Sequence, residues 1–259
     1  MTDFMVRPLF LVDLDDTLLQ TARKMPANMP RQVAALDKHG QPLSFTNPTQ
    51  QVFIEWLLHS ADVVPVTARS MDAFKRVQIP FKQGAICAHG AVILGANGQR
   101  DEVWHQQMLN TLAPYREPLV HIQTTLNSIG NELGLTLRTW LTQEQELTCY
   151  ALAKQSGHHD AVLADVEQKL IQQCDLTDFY IHRNANNLAV LPKVLHKKFA
   201  VDYWLNLDKA QNGQRPVLGF GDSLSDVDFL KMCDWWATPK QGQLAQMVYQ
   251  QLLVNEHQV

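Results

Sequence analysis

The chain alternates between short, continuous apolar runs and amphipathic stretches. Pro8–Val12 is apolar throughout and stops abruptly at Asp13-Leu14-Asp15-Asp16-Thr17. A run of that length without polar alternation predicts a strand buried on both faces, as in a parallel sheet. Arg31–Phe45 alternates around Asp37-Lys38-His39-Gly40 and predicts a small hairpin. Val52, Phe53, Trp56, Leu57 and Leu58 recur at helical spacing within Thr49–His59, directly after Asn47-Pro48. A second buried strand is expected over Ala61–Val66, ending at Thr67-Ala68-Arg69-Ser70. A short helix around Met71–Val77 and strands at Ala85–Ala88 and Ala91–Leu94 follow.

From about residue 113 the texture changes. The pattern predicts a helix over Ala113–Leu133, strands over Leu135–Leu141 and Leu147–Ala153, a helix over Asp160–Cys174, and strands over Phe179–Arg183 and Leu188–Leu191. This αββαββ order belongs to a compact α+β unit with an antiparallel sheet. After Pro192 the first texture returns: helix His196–Leu207, strand Pro216–Phe220, helix Val227–Met232 behind Gly221-Asp222-Ser223, strand Trp235–Thr238 and a last helix Gln243–Leu253. The expected fold class is therefore α/β. Residues 1–84 and 192–259 form a Rossmann-like parallel-sheet core of three α/β/α layers, and residues 85–191 are inserted as an α+β unit. Gly84 and Pro192 stand at the expected junctions, one able to absorb a rotation and the other stiff.

Composition narrows the class. Of 259 residues, 46% are hydrophobic and 19% charged, enough apolar material for real cores, which excludes disordered, collagenous and disulfide-scaffold chains. With 22 basic against 26 acidic residues the net charge is −4, and no run of Lys/Arg offers nucleic acid or an anionic membrane a bulk-charge partner. Cys87, Cys149, Cys174 and Cys233 form no CxxC clip and read as reduced thiols of a cytoplasmic protein. No window holds 18 apolar residues in a row, and acidic residues near the start interrupt any signal-peptide core. No pattern sets an oligomeric state.

In an open α/β sheet, ligands bind beyond the carboxyl ends of the strands. Three polar clusters stand at such ends: Asp13/Asp15/Thr17, Thr67 and Asp222/Asp226; Lys197, opening a helix, is placed to join them. Taken singly, each has an ordinary explanation. An Asp after a strand is usually a turn former or helix cap, a Lys at a helix start is usually solvated, and Gly-Asp-x-x-x-Asp suits an acidic first helical turn. Four carboxylates gathered at one edge would repel strongly unless a cation joined them. Hard oxygen ligands favour Mg²⁺, which is bound through a few carboxylates together with substrate phosphate. A metal-bound carboxylate beside a hydroxyl and an ammonium suits a phosphoryl group.

These residues, in this order, resemble the four motifs of the haloacid dehalogenase superfamily of phosphatases: Asp13-Leu14-Asp15-Asp16-Thr17, Thr67, Lys197 and Gly221-Asp222-Ser223-Leu224-Ser225-Asp226. The large insertion between the second and third motifs is similar to the Cof-like and sucrose-phosphatase-like branch. Ala88-His89-Gly90-Ala91 resembles the Asn-Gly-Ala that leads into the cap there, with His89 in place of Asn, and Ser225 likewise replaces a common Asn. Lys197 is chosen over Lys193 and Lys198 because it lies three residues before Ala200, as in the branch pattern K-x-x-A.

The resemblance implies that Asp13 is the nucleophile, forming an aspartyl-phosphate, and that Asp15 is the general acid and then the general base. It implies Mg²⁺ held by Asp13, the main-chain carbonyl of Asp15 and Asp222, with Asp226 acting directly or through water. Thr67 and Lys197 would bind the phosphoryl group of a small phosphate ester, a sugar phosphate being the favoured class. The insertion would be a cap that selects the leaving group, with Arg138, His182 and Arg183 as candidate contacts. The motifs are shared by phosphosugar mutases of the same fold. A receiver-type signalling domain combines similar residues, but there the acidic pair precedes a separate acceptor Asp on a later strand. An inactive scaffold is disfavoured because no motif position is missing.

Overall fold

Leu9–Val12 is a strand buried at all four positions, as its unbroken apolar run requires when both faces of a parallel sheet are covered. The computed structural model describes residues 6–155, 160–184 and 186–256. Leu9–Val12 pairs in parallel with Asp62–Pro65 on one side and Val217–Phe220 on the other, and Trp235–Ala237 pairs outside Val217–Phe220. Phe10 stacks on Phe220 at 5.5 Å between ring centroids, and Phe53 of helix Pro48–Ser60 meets Phe220 at 5.2 Å. That helix starts at a reciprocal cap: Asn47 Oδ1 accepts from Gln50 N at 2.9 Å, and Gln50 Oε1 accepts from Asn47 N at 3.0 Å.

The expected hairpin is present as Gln32–Leu36 and Pro42–Thr46. Asp37 Oδ1 accepts from His39 N and Gln41 N in its turn. A two-residue strand, Gln20–Thr21, adds to the hairpin; it is too short to leave a periodic signal in the sequence.

The chain divides into two compact units, Met1–Asp101 with Lys197–Val259, and Glu102–His196. The division falls later along the chain than the expected 84/85 and 191/192. The reason is the antiparallel pair Ala85–Cys87 and Val92–Leu94, which extends the core: Thr67 N donates to Ile86 O at 2.8 Å, and Ala88 N to Arg69 O at 2.7 Å. Gly84 is accordingly no junction. Its φ is +91°, and a Cβ there would stand 2.0 Å from Leu94 O, so it is required by packing. Pro192 ends the strand Asn187–Pro192, paired with Phe179.

The second unit opens with a helix the sequence reading did not place, Glu102–Leu112, whose buried Trp104, Met108 and Leu112 recur every four residues. The helices Arg116–Glu132 and Asp160–Gln173 follow, with four antiparallel strands in the order Phe179–Asn184, Asn187–Pro192, Leu147–Gln155, Leu137–Glu144. Leu119, Ile122, Leu126 and Ile129 pack with Leu163, Val166 and Leu170 against Ala151, Ala153, Leu188 and Val190. Strand alternation divides the three polar residues named above as candidate contacts between the two faces of this sheet. Phe179 and Ile181 face this cluster, so Arg183 does too, and its Nε lies 3.6 Å from Glu167 on helix Asp160–Gln173. Arg138 and His182, each next to a residue packed on the cluster, lie on the opposite face. Among the described residues no helix is long and apolar enough to cross a membrane.

Candidate active site

Backbone pairing aligns the strand ends. Val66 N donates to Val12 O at 2.7 Å and Asp13 N to Phe220 O at 2.8 Å, which sets Asp13 level with Val66, the residue before Thr67, and with the Gly221-Asp222 turn. Gly221 is needed for a close approach: a Cβ there would stand 2.7 Å from Asp226 Cβ. On the far side of the turn, Leu244 N donates to Asp222 O at 2.9 Å.

Lys197, 3% exposed, begins helix Lys197–Asn212. A lysine at that end is disfavoured by the helix dipole; it is held because Nζ lies 2.7 Å from Asp13 Oδ1 and 2.7 Å from Asp226 Oδ1. The neighbouring lysines go elsewhere: Lys193 donates to Thr177 O, and Lys198 lies 3.5 Å from Asp228. Asp226 Oδ2 accepts from Ser223 N, Ser223 Oγ and Asp222 N at 3.0, 2.8 and 3.2 Å. Thr17 Oγ1 stands between Asp13 Oδ2 at 3.3 Å and Asp222 Oδ1 at 3.4 Å.

Two carboxylates share one ammonium yet titrate in opposite directions. Burial pushes Asp13 well above the usual carboxylate range, and the Lys197 charge only partly offsets it. Burial acts on Asp226 as well, but the Lys197 ammonium and the Ser223 hydrogen bonds outweigh it and hold this carboxyl below its ordinary value. Asp222 is raised to about 7, first by burial and then by the charges of Asp226 and Asp16. Lys197 is held protonated despite burial by the two carboxylates it bonds. One ammonium therefore does not neutralise the site.

Oxygens of Asp13, Asp222 and Asp226 lie within 4.8 Å of one another. Three carboxylates with hard oxygen donors, under-compensated and packed this closely, fit a divalent cation. Thr67 is 1% exposed; its hydroxyl accepts from Arg69 N at 3.1 Å, which leaves the O–H to donate. Asp15 lies apart from the carboxylate cluster and is gripped by Arg69, with Nε 2.7 Å from Oδ2 and Nη2 2.7 Å from Oδ1. Arg69 leaves little signal in the sequence because Thr-Ala-Arg is a weak pattern alone, and Ser44, which also accepts from Nη2 at 3.0 Å, leaves none.

Beside Thr67, Ala88 and His89 adopt left-handed φ of 49° and 57°, a cost of about 1–3 kcal/mol each for non-glycine residues. They are held by Ala88 N to Arg69 O and His89 N to Thr67 O. A cavity of ≈ 700 Å³ lies elsewhere in this unit, between the hairpin, helix Pro48–Ser60 and residues 78–83. Among the described residues, no set of metal donors comes together in its walls.

A parallel sheet carrying this acid–threonine–lysine–acid constellation at its strand ends is the arrangement of the haloacid dehalogenase superfamily. The sequence profile of the sucrose-6F-phosphate phosphohydrolase family matches residues 6–234, and the chain belongs to that family of phosphoric monoester hydrolases. No curated protein matches the sequence. Among solved structures, the Synechocystis sucrose-phosphatase in complex with sucrose and phosphate is 15% identical, covers 95% of this chain and 87% of its own, and superposes with a TM-score of 0.52. The C-terminal domain of C. albicans trehalose-6-phosphate phosphatase is 14% identical over 87% and 73%, with a TM-score of 0.53. An N-terminally truncated Plasmodium falciparum IMP-nucleotidase is 12% identical over 91% and 68%, with a TM-score of 0.54. At these identities the likeness is one of fold.

Proposed function

We propose that the protein is a Mg²⁺-dependent phosphatase that hydrolyses a small sugar phosphate through an aspartyl-phosphate on Asp13, in a reducing cytoplasm that suits its four free thiols. The observation that carries this reading is the Lys197 ammonium, 2.7 Å from both Asp13 and Asp226, with Asp222 completing the cluster. An Asp13 carboxylate oxygen attacks phosphorus while the ester P–O bond breaks and Asp15 gives its proton to the departing oxygen. Asp15 then takes a proton from water, whose oxygen attacks the same phosphorus, and Asp13 and inorganic phosphate are released. Thr67 and Lys197 donate to the phosphoryl oxygens throughout. Asp13, Asp222 and the main-chain carbonyl of Asp15 would hold Mg²⁺, with Asp226 acting directly or through water. When bound, the ion supplies positive charge that offsets the phosphoryl oxygens. The sugar-phosphate class is supported by the family description and by the names of two of the structures above.

The test is a panel of sugar phosphates with Mg²⁺, scored for free phosphate and for isomerised sugar phosphate. Free phosphate is expected, and Asp13→Asn should lower its release by more than about 10³-fold while circular dichroism stays native. An isomer without free phosphate would establish a mutase. A folded Asp13→Asn protein with wild-type turnover would overturn the nucleophile.

A further inference from the structure

Arg69, largely shielded from solvent, is a cation that the scheme above does not use. Its guanidinium closes a fork on Asp15, Nε to Oδ2 and Nη2 to Oδ1, both at 2.7 Å. The same Nη2 reaches Ser44 Oγ, at 3.0 Å, on the strand Pro42–Thr46. At the backbone, Arg69 N donates to Thr67 Oγ1, and Arg69 O accepts from Ala88 N. The Arg69 side chain is 10% exposed whereas that of Asp15 is 42% exposed. An aspartate that exposed has several staggered orientations open to it, and a bidentate arginine selects one.

We propose that Arg69 is the positioning residue for Asp15. It fixes the carboxyl against the hairpin so that proton transfer to the leaving oxygen and from the attacking water runs from one orientation. Ser44 is the second anchor and keeps the guanidinium plane from rotating. The strand pair Pro42–Thr46 and Gln32–Leu36 thereby contributes to the chemistry through Ser44 without supplying a reacting group. The proposal rests on Asp15 being the acid–base residue, so the experiment tests that assignment in parallel.

A residue acting through Asp15 must share its signature. Burst and steady-state kinetics are compared for an alkyl ester, glucose 6-phosphate, and an activated ester, p-nitrophenyl phosphate, in wild type, Asp15→Asn, Arg69→Ala, Arg69→Lys and the Asp15→Asn/Arg69→Ala double variant. The first turnover of the aryl ester needs little proton donation. Arg69→Ala should therefore lower kcat on the alkyl ester by about 30- to 100-fold and the aryl burst rate by less than about 5-fold. Added to Asp15→Asn, it should cost less than about 2-fold more, because coupled residues are not additive. Free guanidinium should restore part of the Arg69→Ala loss. Lysine supplies a point charge without the fork and should fall between wild type and Ala.

If Asp15→Asn lacks the leaving-group split, the acid–base reading itself fails. If Asp15→Asn shows the split and Arg69→Ala does not, or if the two losses multiply in the double variant, Arg69 is not acting through Asp15. Should Arg69→Ala fold poorly, Arg69→Lys and Ser44→Ala carry the same comparison. Equal losses on both substrates in these variants would leave only a structural role and overturn the proposal.

Discussion

At the scale of single residues, the site is a problem of unmatched charge. Lys197 compensates two buried carboxylates at once, and its removal leaves both without a partner in a poorly solvated place. Breaking a buried pair by removing one member costs about 3–5 kcal/mol. Lys197→Ala should therefore unfold at markedly lower urea concentration as well as lose activity. An unchanged urea midpoint would show that Asp13 and Asp226 find other compensation. The two carboxylates also show why identical contacts do not give identical chemistry. Asp226 ends a turn whose first residue, Ser223, donates to it twice, whereas among the described residues the Asp13 side chain has Lys197 and the longer Thr17 contact. The backbone conformation of Ser223–Asp226 is thus part of the electrostatics.

At the scale of elements, what counts is how closely segments approach. Gly221 lets the turn after strand Val217–Phe220 fold back against Asp226, where any side chain would meet Cβ, Cγ and Oδ2 at 2.7–3.0 Å. These atoms belong to a residue whose carboxylate is fully engaged, so they cannot step aside cheaply. Gly221→Ala is expected to displace Asp222 and Asp226 and to cut turnover by more than about 10-fold, a misplacement effect at a distance from the reacting atoms. Activity assays on the folded variant check this; wild-type turnover would mean the turn relaxes freely. The Gln32–Thr46 hairpin is the other element whose placement matters, since Ser44 reaches Arg69 from it.

At the scale of the whole chain, the core gathers carboxylates from positions 13, 222 and 226 into one cluster and leaves it short of positive charge. The protein without metal should register this as a pH dependence. Asp222 is raised from 3.8 to about 7 when folded, so between those values the folded state binds more protons than the unfolded chain. Stability on this account is fully present below about 4 and is lost as pH rises towards about 7. Melting temperature in EDTA should fall between about pH 4 and 7, and Asp222→Asn should flatten the fall. Mg²⁺ at about 100-fold its dissociation constant should add about 2.7 kcal/mol to the wild type at pH 8 and little to Asp222→Asn. A melting temperature in EDTA that rises with pH, or no response to Mg²⁺, would contradict this picture of the cluster.

Much of this was legible in the amino-acid order, because it rests on local signals. Continuous apolar runs at Leu9–Val12 and Val63–Val66 announce buried strands, and the acids that end such runs announce a ligand edge. Asn47-Pro48 announces a helix start, while Lys197 is singled out among three nearby lysines only by the family resemblance, through its K-x-x-A pattern. What the order left open depends on contacts between distant segments. The pair Ala85–Cys87 and Val92–Leu94 reads the same whether it opens an insertion or extends the core, and only its hydrogen bonds to Thr67 and Arg69 assign it to the core. Gly84 looks like a hinge until Leu94 O is found where its side chain would be. Arg183 reads as a candidate contact in the sequence, and only the structure sets its Nε 3.6 Å from Glu167. The grip of Arg69 and Ser44 on Asp15 joins residues 15, 44 and 69 through two turns and a hairpin, and no periodicity or spacing encodes such a meeting. Apolar pattern and turn chemistry, being properties of neighbours along the chain, determined the elements and the acidic edge. Side-chain partnerships, being properties of neighbours in space, were decided only by the tertiary structure.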